Sequence, residues 1–261
     1  MSHSIPLPAA MLRRARDFRG TPAPTRPAAT VALLQPRDQT FQVYVLRRAA
    51  TMVFGGAYAF PGGGVDANDR PETIKADWPL RLGVPEAEAK AVVGAAAREL
   101  FEEAGVLLAG PEAEPGRTVG DVSGADWEAD RAAVQRRELT MTELLRRRGL
   151  WLRDDLLLPW ARWITPEFEP RRFDTWFFVA LLPEAQAARD VSGEADGTAW
   201  ISPADADGLT MLPPTRAMLR DLAAYQSLTE VVAASAHRQA GAPVMPRVEI
   251  AEDGSALLHI P

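Results

Sequence analysis

The 261-residue sequence has no cysteine and only three histidines. Without cysteine there can be no disulfide, no thiolate catalysis and no cysteine-ligated zinc. His3, His237 and His259 are scattered and form no His-x3-His pair, which argues against a histidine-built zinc hydrolase site. No uninterrupted apolar stretch approaches the length of a membrane-spanning helix, so no membrane span is expected. Arg13, Arg14, Arg16 and Arg19 precede no apolar segment, which argues against a secretory signal. The closing His259-Ile260-Pro261 matches no retention or peroxisomal address. The cytoplasm is therefore the expected location. An excess of positive charge is also missing: the net charge is −6 and the pI near 5.3, so neither nucleic acid nor an anionic membrane is an expected partner. No segment repeats.

The chain is 47% hydrophobic and 25% charged, an ordinary globular composition sufficient for one substantial core. Residues 1–29, with five prolines and an arginine cluster, read as a tail that is extended or wraps the domain, with a short helix at 9–18. Residues 28–34 and 41–47 read as paired strands around Gln35-Pro36-Arg37-Asp38. A helix follows at 86–104, with Val93, Ala97, Leu100 and Ala104 on its inner face. Residues 110–124 read as a loop. Helices are expected at 125–137 and 140–148, the second opened by a Thr140-x-x-Glu143 capping box and stopped by Gly149. Their arginines read mostly as a solvated face, some within reach of phosphate. Strands are expected at 160–165, 173–182 and 198–202, and a closing helix at 213–226. Residues 248–250 and 256–260 suggest a hairpin around Asp253-Gly254, joining the sheet or reaching a partner subunit in a homodimer. The domain is thus expected over 30–226, with insertions at 66–84 and 110–158 and an extension at 227–261.

Chemistry concentrates at Arg98-Glu99-Leu100-Phe101-Glu102-Glu103-Ala104-Gly105-Val106. On a helix Glu99, Glu102 and Glu103 fall within an arc of roughly 100°. Three like charges so close repel one another, and acids at a helix C-terminus oppose its macrodipole. As a stabilising device the arrangement is poor; as a set of hard oxygen ligands it suits a divalent cation such as Mg²⁺. Gly105 supplies the left-handed cap that ends the helix just past the carboxylates. Upstream lies Phe60-Pro61-Gly62-Gly63-Gly64, where glycines let backbone approach a ligand or metal closely. Taken alone, an acidic helix end is usually solvated and a glycine run is usually a loop.

Together, the two segments resemble the Nudix box, Gly-x5-Glu-x7-Arg-Glu-U-x-Glu-Glu-x-Gly-U with U aliphatic. Arg98, Glu99, Leu100, Glu102, Glu103, Gly105 and Val106 match every fixed position of its second half. The first half departs from it. Lys90 stands where the pattern has Glu, and Gly63 lies 35 positions before Arg98, 21 more than the pattern has, as an insertion after the glycines would produce. Glu86 and Glu88 are the nearest acids to replace the missing Glu. A second block, Trp160-x-x-Trp163-x-Thr165-Pro166 and Arg171-Arg172-Phe173-Asp174-Thr175-x-Phe177-Phe178, resembles the Nudix branch containing the peroxisomal acyl-coenzyme A diphosphatase. Read on their own, paired tryptophans are most often core packing and such arginines are salt-bridged rim residues. A related coenzyme A signature is matched in part, by Arg47, Gly56 and Phe60-Pro61-Gly62-Gly63, with Met52 where an Arg is expected.

The resemblance implies an α/β fold, a Nudix-type α/β/α sandwich with a mixed β-sheet. It implies hydrolysis of a small-molecule diphosphate linked to another moiety, with Mg²⁺ or Mn²⁺ held by Glu99, Glu102, Glu103 and the carbonyl of Gly63. Arg98, four residues before Glu102, is spaced to orient it. Glu103 or Glu194 would accept a proton from water, and Arg47, Arg171 and Arg172 would bind substrate. Coenzyme A or its acyl esters are the first expectation, and ADP-ribose, nucleotide sugars or dinucleotides the second. A non-catalytic ligand-sensing or scaffold domain is the reading of another class.

Overall fold

A computed structural model of the chain describes residues 3–6, 9–51, 54–114, 116–191, 193, 195–250 and 256–260. The chain opens with β1 (His3–Pro6) and α1 (Ala9–Asp17), then the hairpin β2 (Thr25–Arg37) and β3 (Thr40–Arg48). Two short strands follow, β4 (Tyr58–Ala59) and β5 (Gly62–Gly64), and two helices, α2 (Trp78–Leu82) and α3 (Glu86–Ala104). Next come β6 (Ala109–Pro111), α4 (Ala125–Gln135), α5 (Met141–Arg148) and β7 (Leu150–Leu152). The remaining elements are β8 (Leu157–Ile164), β9 (Arg172–Leu181), β10 (Ala195–Ile201), α6 (Pro213–Leu222), α7 (Leu228–Ser235), β11 (Pro243–Val244), β12 (Arg247–Ile250) and β13 (Ala256–Ile260).

The main sheet runs β10-β3-β2-β9-β8-β11, with β4 beside β3 and β5 beside β2. It is mixed: β2 runs parallel to β9 from Thr25↔Arg172 to Leu34↔Leu181, and β8 parallel to β11, while the other pairs are antiparallel. Because side chains alternate along a strand, the central strands fill two cores at once. Val31 and Leu33 of β2 and Trp176 and Phe178 of β9 pack toward α2 and α3. Ala32, Leu34, Phe177 and Val179 pack toward α6 and α7 with Trp160 and Trp163. Helices thus cover both faces, giving the α/β/α sandwich, and burying each of these large side chains contributes ~1.5–3 kcal/mol. The two tryptophans of the second block are core residues.

Most elements lie where the sequence places them, α3 and the Thr140 capping box with its left-handed Gly149 cap among them. Four details differ. Residues 25–27, read as tail alone, already belong to β2 because they pair with β9. The loop at 110–124 begins in β6, paired with β7. The closing helix stops at Leu222, and α7, not foreseen, follows it. The C-terminal hairpin forms, but it pairs with β1 in a separate three-stranded sheet instead of joining the main one; its turn, Asp253-Gly254, lies outside the described residues. Among the described residues no helix is long and apolar enough to cross a membrane.

Helix α3 is more buried than one inner face predicts. Val93, Leu100 and Ala104 meet the sheet, while Phe101 packs with Val134, Leu144 and Leu145 of α4 and α5. The inserted helices therefore form an extra layer over α3, and small residues let neighbours come close. A Cβ on Gly94 would lie 2.9 Å from Pro71 Cδ and 3.0 Å from the backbone of Asp69. Gly94→Val should therefore cost about 1–3 kcal/mol in urea unfolding, because the 69–71 backbone has to move. Stability at or above the wild-type value would mean that this segment does not rest on α3.

Candidate active site

The three glycines form an edge strand rather than a loop: Gly62, Gly63 and Gly64 pair with Thr30, Ala29 and Ala28 of β2. Close approach is what demands glycine here. A Cβ on Gly62 would lie 2.6 Å from the Ala29 carbonyl oxygen, and one on Gly63 would lie 2.5 Å from Glu99 Oε1. The Gly62 N–H donates to Glu103 Oε2 at 2.9 Å. The glycine strand thus reaches the carboxylates of α3 despite the long insertion. Gly105, at φ 64°, ends the helix just beyond them.

Arg98 lies at the centre, 3% exposed. Its Nε and Nη2 donate to the two oxygens of Asp69 at 2.7 and 2.9 Å, its Nη1 to Glu99 at 2.7 Å and to Glu102 at 3.3 Å, and its Nη2 also to the Gly64 carbonyl at 2.9 Å. Burial opposes its charge, but Asp69, Glu99 and Glu102 more than offset this and hold its pKa above the ordinary value. Burial pushes the Glu99 carboxyl up to about 7 despite Arg98, and the neighbouring Glu102 adds to the rise. Glu102 is buried and also accepts from Arg137 Nη1, while Arg137 Nε faces Asp66 Oδ2 at 3.4 Å. Glu103 is half-buried.

Asp69 and Asp66 are residues that sequence reasoning missed, and Arg137 was legible only as one of the arginines of the inserted helices, mostly a solvated face with some in reach of phosphate. Asp69 comes from the insertion, and its side chain also accepts the Asp66 N–H at 2.7 Å. The two aspartates just after Gly64 are the only local signal. Neither Glu86 nor Glu88 takes the place of the missing box Glu. Both are exposed at the start of α3, where Glu86 pairs with Lys90 at 3.2 Å. Ten and twelve residues along a helix separate them from Arg98 by roughly 15–18 Å. Their position in the pattern was no guide, because the acid that meets Arg98 arrives through the insertion.

The other expected residues lie apart from the cluster. Arg47 is exposed on β3, opposite Tyr58 and Gly197. Arg171 is exposed. Arg172 is buried and donates to the Thr165 and Ala23 carbonyls at 3.1 and 2.9 Å, tying β9 to β8 and to the segment before β2. Glu194 lies outside the described residues. The segment leading toward it is held at the carboxylate end of α3: Arg189 N–H donates to the Ala104 carbonyl at 2.9 Å, and Tyr44 Oη donates to the Arg189 carbonyl at 2.9 Å. Burial pushes the Tyr44 hydroxyl up to about 12, with Asp190 and Glu103 as charged neighbours.

The donors present are carboxylate and backbone carbonyl oxygens, the class that Mg²⁺ and Mn²⁺ prefer. Asp66, Asp69, Glu99 and Glu102 meet the guanidiniums of Arg98 and Arg137, and Glu103 accepts from the Gly62 N–H; five acids gathered with two arginines leave negative charge in excess, which fits a divalent cation. Among the described residues no three acidic side chains already converge as a metal site. Glu99 and Glu102 are turned to the arginines, and Glu103 to the glycine strand.

Removing Asp69 would leave one edge of a buried guanidinium without its partner. Asp69→Ala should therefore destabilise the fold by about 3 kcal/mol, with a smaller loss for Asp69→Asn, as read by chemical unfolding. A loss below about 1 kcal/mol for the alanine variant would show that Glu99 and Glu102 suffice to hold Arg98.

Comparisons with known proteins agree with this geometry. Residues 81–211, about half of the chain, match the family model described as the NUDT19 Nudix domain. The chain is 29% identical to the human acyl-coenzyme A diphosphatase NUDT19 over 285 aligned positions, covering 88% of this chain and 74% of that protein. It is 25% identical to the Xenopus laevis protein of the same name, covering 66% of this chain and 55% of that one. The solved NUDIX hydrolase from Alicyclobacillus acidocaldarius superimposes with a TM-score of 0.67 at 27% identity, covering 80% of this chain and 96% of that one. A model match over half the chain, with the box residues gathered at one end of α3, means that this chain belongs to the Nudix hydrolases, in the NUDT19 Nudix domain family.

Proposed function

We propose that the chain is a divalent-metal-dependent hydrolase that cleaves the diphosphate of coenzyme A or its acyl esters. The observation that carries the reaction class is the buried carboxylate cluster of Glu99 and Glu102 on α3, with Glu103 of the same helix hydrogen-bonded to the glycine strand, in a member of this family. Glu99, Glu102, Glu103 and the Gly63 carbonyl are the proposed ligands of Mg²⁺ or Mn²⁺. Such an ion screens the diphosphate, lowers the pKa of a bound water and stabilises charge developing on phosphate. Arg98 fixes Glu99 and Glu102 through its hydrogen bonds and is a positioning residue. Water oxygen bonds to one phosphorus, the bridging P–O bond breaks, and the other phosphate leaves with the bridging oxygen. Glu103, the most accessible of the three on α3, is the proposed acceptor of the water's proton, with Glu194 as the alternative.

The substrate rests on similarity to proteins named acyl-coenzyme A diphosphatase and on the Trp160–Phe178 block. Cleavage in the diphosphate gives 3′,5′-ADP and a 4′-phosphopantetheine species, with any thioester left intact. The adenosine 3′-phosphate calls for a cation away from the carboxylates. Arg171 and Arg47 are exposed and available for this, whereas Arg172 would first have to release two backbone carbonyls.

Purified protein with Mg²⁺ or Mn²⁺ should convert coenzyme A esters to those two products by mass, and chelation should abolish turnover until metal is restored. Brisk ADP-ribose cleavage without any coenzyme A cleavage would transfer the assignment to ADP-ribose. Glu102→Gln and Glu103→Gln should keep the fold and lower kcat by orders of magnitude. Losses of about tenfold or less in both, at saturating metal, would remove these residues from the mechanism. Arg171→Ala should raise KM for coenzyme A more than KM for ADP-ribose, which lacks the 3′-phosphate; equal changes would exclude a 3′-phosphate contact.

A further inference from the structure

The two guanidiniums at the carboxylate cluster differ in how firmly they are held. Arg98 is 3% exposed, and its donors are committed to Asp69, Glu99, Glu102 and the Gly64 carbonyl. Arg137 leaves 41% of its side chain exposed. It contacts Glu102 with Nη1, which also donates to the Val134 carbonyl at 3.1 Å, and lies 3.4 Å from Asp66 with Nε. Arg137 belongs to neither the box helix nor the sheet. It sits on the corner between α4 and α5, the layer that the second insertion adds over α3.

That corner is built to present the guanidinium. Arg137 has φ 62°, a left-handed conformation that a non-glycine residue adopts at a cost of roughly 1 kcal/mol. Its N–H is bonded to the Val134 carbonyl, the Thr140 capping box starts α5 three residues later, and Thr142 Oγ1 donates to the Arg70 carbonyl. The inserted layer is thereby pinned to the 66–70 segment. Asp66, Asp69, Arg98, Arg137 and Thr140 line one cleft. Glu102 Oε1 accepts from both arginines, so a divalent cation drawn to Glu102 competes with whichever of them can leave. Arg98 is enclosed; Arg137 opens to solvent.

We infer that Arg137 is an exchangeable cation, neutralising Glu102 and Asp66 in the metal-free protein and turning to the substrate's diphosphate when a divalent ion takes Glu102. The inference rests on the proposed metal-dependent hydrolysis and adds a substrate-binding residue to it. A planar guanidinium fork suits paired phosphate oxygens, and a diphosphate bound beside the carboxylates supplies the negative partner that Arg137 loses to the metal.

The test begins without substrate, by calorimetric titration of Mn²⁺ into wild type, Arg137→Ala, Arg137→Lys and Arg136→Ala. Arg136 pairs with Glu138 in solvent and serves as the control. Arg137→Ala should bind Mn²⁺ about threefold or more tightly than wild type, the size expected for removing a half-exposed competing ion pair. Arg137→Lys should fall between them, and Arg136→Ala should match wild type. A merely structural role predicts the opposite sign, weaker Mn²⁺ binding as the corner loosens. With coenzyme A as substrate, Arg137→Ala should raise KM by roughly tenfold, with a smaller change in kcat. Unchanged or weaker Mn²⁺ binding in Arg137→Ala, with wild type binding Mn²⁺ and turning over substrate, overturns this inference alone. A wild type that neither binds Mn²⁺ nor hydrolyses any diphosphate overturns it together with the functional reading.

Discussion

Arg98 ties together three segments that are far apart in sequence. Its guanidinium joins α3 to the glycine strand through the Gly64 carbonyl and to the insertion through both oxygens of Asp69. It also sets the separation between Glu99 and Glu102 on its own helix. A buried charge of this kind is expensive unless every donor finds an acceptor, and an ion pair in the interior adds little stability over apolar packing of the same volume. What it adds is geometry. Asp69 can neither drift nor be replaced by water without leaving a guanidinium edge unpaired, so the first insertion is anchored to α3 at Arg98.

The apolar framework explains how the helix can carry such a load. Alternation along β2 and β9 fills a core on each face of the sheet, and α3 is packed on a second side by Phe101 against the inserted helices. Repulsion among Glu99, Glu102 and Glu103 therefore acts on a helix already fixed by burial, not by its own propensity. The strand of three glycines completes the enclosure. None of its residues adopts a left-handed conformation; glycine is required at Gly62 and Gly63 because Thr30, the Ala29 carbonyl and the Glu99 carboxylate occupy the space a side chain would take.

Local patterns made much of this legible in the sequence. The ends of α3, the Thr140 capping box, the Gly149 stop and the two-sided strand β9 all follow from periodicity and caps. The partners of Arg98 and Glu102 did not follow, because they are set by tertiary contacts. Asp69 is 29 residues from Arg98, and Arg137 is 35 from Glu102. Nothing in either local sequence separates them from the many other acids and arginines of a charged chain. Lys90 stands where the box has its acid, and Glu86 and Glu88 lie too far along the same helix to replace it, because the acid that meets Arg98 comes from another segment.

Both insertions end at the carboxylates, yet they deliver different chemistry there. The first brings Asp69, an acid buried against a buried arginine and held from two directions. The second brings Arg137, a half-exposed cation on a left-handed corner that reaches in to buried Glu102. Burial separates the roles: an enclosed pair fixes geometry because breaking it strands a charge, while a half-exposed cation can leave because water and ligand both compensate it. The excess of carboxylates is met partly by that second arginine. The same charge surplus that makes the cluster unfavourable for stability gives it the capacity to exchange an internal cation for an external one, and the inserted helices bring that exchange to the mouth of the site.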